Sequence, residues 1–385
     1  MSSQAFVPRD YDVFAGLDVD KRSISVTFTD HQGLSRSIRI PYRLEHLLSY
    51  VGQHFAGQKV AFAYEAGPTG YGLYDGLVAH GAPCLVASPS MIPRAPGQRV
   101  KTNRLDSRGL SENLRGGQLK SIHVPAQPYR ELRHLTQLRD TFVSEMVGMK
   151  LRIKSLLLVE GIAFPPAPAG SQWSFMVRDT LRKIPCSGTV RFKLDQLLDS
   201  MEFSEQQVLK STKEIRRFCQ NDPELSRCIE LLMTIPGIGW IVASQLVARI
   251  GDWRHIRHVR QLAAFLGLVP TERSTGETTD RGAITHTGDS RLRSKLIQAA
   301  WSAIRQDGEL REFYRSVCRS HPRHLASRVA IVAVARKLST RISAVLMHQR
   351  PYVVRAKVHA APVTQEETPP QGTTRRHAEP GETHS

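Results

Sequence analysis

The sequence predicts an α/β domain at the N-terminus followed by mostly α-helical regions, and three observations carry this. Three short apolar runs with two-residue alternation open the chain and give way to alternating helical and strand patterns. From Glu131 onward long stretches have helical periodicity, and one of them repeats its apolar residues every seven positions. Between the long helices lies a Pro/Ala/Gly-rich loop, "FPPAPAGSQ".

Taken in order, the first runs are "DVFAGLDV", "SISVTFTD" and "GLSRSIRIPY", separated by turn residues such as those of "DHQG". An amphipathic helix, "RLEHLLSYVGQH", follows, then a buried strand, "KVAFAYEA". A Gly-opened helix, "GYGLYDGLVAHG", a short strand, "PCLVAS", and the helix entered through "VKTNRLDSRGLSENLRGG" complete the series. A three-strand meander followed by α-β-α-β-α is the order of a ribonuclease-H/RuvC-like domain, expected over 11–125.

A helical coiled-coil insert is expected over 126–225. The prolines of "HVPAQPYR" break the chain, and a long helix is expected from Glu131 to about Glu160. In a second long helix Leu194, Met201, Val208 and Ile215 recur at seven-residue spacing, with Leu197 and Leu198 beside the first. That seam fits an internal hairpin or a dimer contact equally. A mostly α C-terminal domain is expected over 226–350. It starts with "LLMTIPGIGWIVASQLVARIGDW", in which "PGIG" has the form of a helix-hairpin-helix-like element whose Gly237 and Gly239 would let backbone N–H groups approach a phosphate. The tail, 351–385, lacks apolar periodicity and is expected to be disordered.

Composition narrows the function. Of 385 residues, 53 are Lys or Arg and 35 are Asp or Glu, a net charge of +18 that points to a polyanionic partner, with nucleic acid the default. Nothing approaches the ~18 consecutive apolar residues of a membrane span, and "MSSQAFVPRD" lacks a signal core, so a cytoplasmic protein is expected. Cys84, Cys186, Cys219, Cys228 and Cys318 have no CxxC spacing and read as reduced, mostly buried thiols.

Asp18 closes the first strand and Glu65 the fourth. Carboxylates at the ends of adjacent strands share a crevice, and Asp106 reaches it from the last helix of the domain, with Asn103 one turn before it. Oxygen ligands of this kind suit Mg²⁺, which takes one or two carboxylates together with substrate phosphates. Asp20 lies on the same face as Asp18 but one step beyond the strand, which ranks it lower.

These residues carry a resemblance. Through "GLDVDK", "YEAGPTGY", "VKTNRLDSRGLSENLRGGQLKSIHVP", "TIPGIGWIVASQLVARIGD" and "LAAFLGLVPTERSTGETTDRGAITHTGDSRLRSKLIQAAW", in that order across most of Val13–Trp301, the chain resembles the DEDD transposases of the insertion-sequence one-ten family. The resemblance implies a DNA recombinase of a mobile element, with a C-terminal transposase domain. Its four acidic positions fall on Asp18, Glu65, position 103 and Asp106, and position 103 holds Asn. The Asn103 amide oxygen can still ligate a hard cation, at the loss of one negative charge. The resemblance also implies a serine that attacks DNA phosphate. Its position falls on Thr275, with Ser274 just before it, and both hydroxyls stay open as the nucleophile.

A structured bridge RNA that guides the reaction and a homo-oligomer, dimer or tetramer, with composite sites are implied in the same way. Lys101, Arg104, Arg254, Arg281, Arg291 and Arg293 are the expected phosphate contacts, since Arg grips phosphate oxygens in pairs. Two rival functions fit the same residues: a junction-resolving nuclease that uses only the acids and water, and an inactive nucleic-acid-binding derivative.

Overall fold

The three alternating runs form an antiparallel meander in the computed structural model: β1 (Val13–Val19), β2 (Ser23–Asp30) and β3 (Ser35–Pro41). Two more strands, β4 (Val60–Glu65) and β5 (Cys84–Ala87), add parallel to β1 across the helices α1 (Leu44–His54) and α2 (Gly72–Ala79). The resulting mixed five-stranded sheet has the order β3-β2-β1-β4-β5, the ribonuclease-H-like arrangement. The structure describes residues 6–93, 103–167, 170–272, 281–285 and 287–354, without the side chains of 103, 104 and 281. They fall into two compact units, Met1–Asp222 with Gln245–His255, and Pro223–Ser244 with Ile256–Ser385.

Alternation assigns each strand residue to a face. Val13, Ala15, Leu17, Ile24, Val26, Phe28, Phe62 and Tyr64 form one core with Leu47 of α1 and Leu73 and Leu77 of α2. On the opposite face Phe14, Ala61, Ala63, Leu85 and Ala87 meet Leu110 and Leu114 of α3 (Asn103–Arg115). Each such large apolar side chain contributes roughly 1.5–3 kcal/mol on burial.

The insert is a helical hairpin. Its first helix, α4 (Gln127–Val159), starts four residues before the expected Glu131, because Pro128 sits in the first turn, where its missing N–H has no partner to lose. A short helix missed by the sequence reading, α5 (Phe175–Lys183), follows the loop, and α6 (Gly188–Gln220) returns along α4. The direction is antiparallel: Arg139, early in α4, bonds Thr212, late in α6, at 2.9 Å, while Ile153 and Leu157 share a core with Leu194 and Leu198. The heptad residues Leu194, Met201 and Ile215 are thus buried within this chain, so the seam is an internal hairpin.

Two further helices frame "PGIG": α7 (Pro223–Met233) and α8 (Trp240–Ile250). Within the first unit Arg133 of α4 donates to the Ala248 and Arg249 carbonyls at the end of α8, and Gln245 donates to Asp140 at 2.9 Å. The second unit continues with α9 (Gln261–Phe265), the strand pair β6 (Pro270–Glu272) and β7 (Arg281–Ile284), then α10 (Ser290–Gln306), α11 (Gly308–Arg319) and α12 (Arg323–His348). Asp307, 1% exposed, caps α11 through the Leu310 N–H and accepts from Arg341 at 2.8 Å and from the Tyr352 hydroxyl at 2.9 Å.

None of the five cysteines is in a disulfide, and Cys219 and Cys228 are buried while the other three are partly buried. Burial pushes the Cys219 thiol up to about 12. Among the described residues no helix is long and apolar enough to cross a membrane. The tail expected to be disordered lies, from 355 onward, outside the described residues.

Candidate active site

Strand register brings the first two acids together. Leu17 of β1 pairs with Tyr64 of the parallel β4, so the next residues, Asp18 and Glu65, end neighbouring strands at the same level. Asp18 follows Phe14 and Gly16 on their face of the sheet, and Glu65 follows Ala61 and Ala63 on theirs. Both faces are the one that α3 covers.

The third acid arrives with α3, and the docking of that helix is unusually close. A Cβ on Gly16 would overlap the Ser107 carbonyl and the Ser111 N–H, so only glycine lets the helix backbone rest on β1 there. Ser111 Oγ lies 2.8 Å from the Phe14 carbonyl and 2.6 Å from Thr29 Oγ1, and Ser107 Oγ lies 2.9 Å from Thr27 Oγ1. Ser111 therefore stands at the level of residue 14 and Ser107 at the level of residue 16. The helix runs opposite to β1, and one further turn back its first residues reach the level of residue 18. Asp106, half-buried, leads the row of Leu110 and Leu114, which pack on the β4 and β5 side.

The donor chemistry at this sheet end, carboxylate oxygens, fits a hard divalent cation. Among the described residues no three acids, histidines or cysteines close around one ion. Mg²⁺ needs only one or two carboxylates when phosphate and water complete its shell, so the set fits that ion in the presence of DNA. Asn103 begins α3, but its side chain lies outside the described residues. Asp20 is exposed and turns its carboxylate to the Lys21 N–H at 2.7 Å.

The remaining expected residues divide clearly. Ser274, Thr275 and Lys101 lie outside the described residues, as do the side chains of Arg104 and Arg281. Arg291 is exposed in the first turn of α10, and Arg254 is exposed, lying over the Trp253 ring and paired with Asp252 at 3.0 Å. Arg293 instead turns inward: only 9% exposed, it donates to the Leu266 carbonyl at 2.9 Å. The two glycines of "PGIG" also differ. Gly237, at φ +86°, meets α10, where a Cβ would overlap the Ala299 carbonyl, whereas nothing lies near a Cβ on Gly239. Close packing on α10 is thus a use of Gly237 that the phosphate reading did not foresee.

The sequence reading also passed over Gly16, Thr27, Thr29, Ser107 and Ser111. A signal was available: two serines four apart on the helix, and threonines two apart on a strand, form matching polar rows.

A ribonuclease-H-like sheet with acids at the ends of β1 and β4 and on the helix that covers them, followed by a mainly helical region, is the arrangement expected of a transposase with a DEDD catalytic domain, and the likeness to known proteins shows that class. Residues 15–160 match the transposase family model for DEDD enzymes of IS110 elements, and residues 229–315 match that of the transposase IS116/IS110/IS902 family. A Sinorhizobium fredii protein, y4qE, assigned as a transposase, is 32% identical over 303 residues, covering 76% of this chain and 72% of that one. The transposase for insertion sequence element IS1328 of Yersinia enterocolitica is 28% identical over 247 residues, 62% of this chain and 71% of that protein. The pilin gene-inverting protein of Moraxella bovis is 29% identical over 155 residues, 40% of this chain and 48% of its own. The chain belongs to the IS110 family of insertion-sequence transposases.

Proposed function

We propose that this transposase cuts and rejoins DNA at a site built from Asp18, Glu65, Asn103 and Asp106, which hold Mg²⁺, with Ser274 or Thr275 as nucleophile. The observation that supports this is the common level of the ends of β1 and β4 and the start of α3 on one face of the sheet. The attacking hydroxyl gives up its proton and forms an ester with the DNA phosphorus. The bond from phosphorus to one DNA oxygen breaks, and that oxygen takes up a proton. When bound, Mg²⁺ would stabilise the negative charge that develops at the phosphate. The carboxylates would hold the ion. Asn103 orients without adding charge.

The domains assigned to this work are 11–125 for the acids, 126–225 for the helical insert and 226–350 for the nucleophile. Lys101, Arg104, Gly239, Arg254, Arg281 and Arg291 contact phosphate. A structured guide RNA shares the +18 charge with DNA, a reading that rests on the family resemblance and the spread of Lys and Arg along the chain. Exposed Val147, Leu151 and Leu158, spaced by four and seven along α4, support a homo-oligomer. The likeness to a pilin gene-inverting protein supports a DNA rearrangement.

The test is strand exchange on a plasmid carrying the native flanking DNA, with and without ribonuclease treatment of the purified protein. Exchange that needs co-purified RNA from the flanking element supports the full reading. Exchange unaffected by ribonuclease removes RNA guidance, and cleavage without joining reduces the protein to a nuclease.

A further inference from the structure

We propose that the buried hydroxyl ladder beneath α3, formed by Thr27, Thr29, Ser107 and Ser111 with Gly16 as its point of closest approach, sets the register of the catalytic acids. These are positioning residues: they fix where Asp106 and position 103 stand relative to Asp18 and Glu65. The inference rests on the reading of those acids as the metal-holding site.

On β2 one row of residues faces α3. This outward row, Thr27 and Thr29, reads by alternation as a solvent face, yet the two residues are 0% and 1% exposed because α3 lies on them. Ser107 and Ser111 are 1% and 0% exposed. Four buried hydroxyls are costly unless each finds a partner, and here each does. Thr27 Oγ1 lies 2.9 Å from both Ser107 and Ser37, while Thr29 Oγ1 lies 3.0 Å from Ser35 and 2.6 Å from Ser111. The ladder thus runs from β3 through β2 to α3, and Ser111 ties it to the β1 carbonyl of Phe14 at 2.8 Å.

Such a ladder does what an apolar contact does not. Leu110 and Leu114 pack on Ala61 and Ala63, small side chains that would tolerate a helix slid or turned by part of a residue. Hydroxyl rungs admit discrete registers only, because an intermediate position leaves donors and acceptors buried without partners. Gly16 adds a steric stop, since a helix moved along β1 would leave the one position without a Cβ and meet the side chain of Phe14 or Asp18, its neighbours on the same face. The rungs end at residue 107. Asp106 is the residue before it, and position 103 stands one turn closer to the N-terminus. A helix without the ladder would still bury its leucines, but its first turn would not be held level with Asp18.

The test uses the full-length protein. Thr27→Val keeps the side-chain shape and removes the hydroxyl shared by Ser37 and Ser107, and Ser111→Ala removes the other rung. Thr27→Ser restores the hydroxyl. Phe28→Leu, on the same strand but facing the other core, serves as the control for lost stability alone. Mn²⁺ affinity is followed by electron paramagnetic resonance with a DNA duplex present, beside the Mg²⁺ concentration for half-maximal strand cleavage and the melting temperature.

Thr27→Val and Ser111→Ala should each weaken Mn²⁺ binding about tenfold, the usual scale for groups that orient metal ligands. Thr27→Ser should restore it, and Phe28→Leu should lower the melting temperature without moving it. If Thr27→Val and Ser111→Ala lower only the melting temperature, in step with Phe28→Leu, the ladder is structural and the proposal fails. Should either variant not fold, the Thr27→Ser and Ser111→Thr pair carries the comparison, with retained metal affinity required. Asp106→Asn separates the two levels of the argument: unchanged Mn²⁺ affinity there overturns the site reading, and the ladder's role with it.

Discussion

Gly237→Ala should unfold the second unit at a markedly lower temperature while the neighbouring Gly239→Ala does not. Gly237 sits at φ +86°, where an alanine costs about 1 kcal/mol. The added Cβ would also overlap the Ala299 carbonyl and stand 3.0 Å from the Ala303 nitrogen, both backbone atoms at buried positions of α10 that cannot swing aside. Forced overpacking of this kind costs about 1–3 kcal/mol, which brings the total to about 2–4 kcal/mol. For a unit of this size each kcal/mol lowers the melting temperature by about 2–4 °C, so a fall on the order of 10 °C is expected. Gly239 has a negative φ and open space around it, and its alanine variant should melt within about 2 °C of the parent. Differential scanning calorimetry of the two variants decides the matter. Equal melting of Gly237→Ala and the parent would refute the claim that "PGIG" owes its first glycine to helix packing.

Other variants test other parts of the molecule. Burial alone would raise the Asp307 carboxyl, but the Leu310 N–H, the Tyr352 hydroxyl and Arg341 together hold it below the ordinary carboxylate value. Because its folded value is depressed, its stabilisation is complete above the unfolded value of about 4 and is lost as pH falls through the folded one. Asp307→Asn should cost about 3 kcal/mol at neutral pH, by leaving the nearly buried Arg341 with Glu309 alone, and should flatten the acid limb of a stability-against-pH curve. An unchanged acid limb would show that Asp307 titrates as it does in the unfolded chain. At the active site, Asn103→Asp should lower the Mg²⁺ concentration for half-maximal cleavage several-fold by restoring a formal charge. An unchanged Mg²⁺ dependence would mean that position 103 is not a ligand.

The sheet was legible because alternation and turn residues are local signals. β1 to β5 fall inside the five runs that the sequence marks, and the levels of Asp18 and Glu65 follow from them. What covers a polar strand face is not local. "SISVTFTD" carries the same alternation whether Thr27 and Thr29 meet water or a helix, and only the tertiary fold puts α3 there. The nine-residue α5 escaped because it buries just Val177 and Leu181, too few for a period to register. Arg291 and Arg293 are alike as letters, yet two positions along a helix turn a side chain to nearly the opposite side, and Arg293 meets the Leu266 carbonyl. Gly237 and Gly239 differ in the same way, by a backbone angle that no residue code records.

The central claim is that the acids at the end of the β-sheet activate DNA for attack by a hydroxyl in the segment 273–280. Mass spectrometry of the protein–DNA adduct, trapped with Mg²⁺ on a DNA substrate carrying the element's end, tests it most directly. The account predicts an adduct on the peptide that contains Ser274 and Thr275, eliminated by alanine at whichever of the two attacks, and absent from Asp18→Ala and Asp106→Ala proteins that still bind DNA. An adduct on a tyrosine, or one that forms unchanged without Asp106, would contradict it.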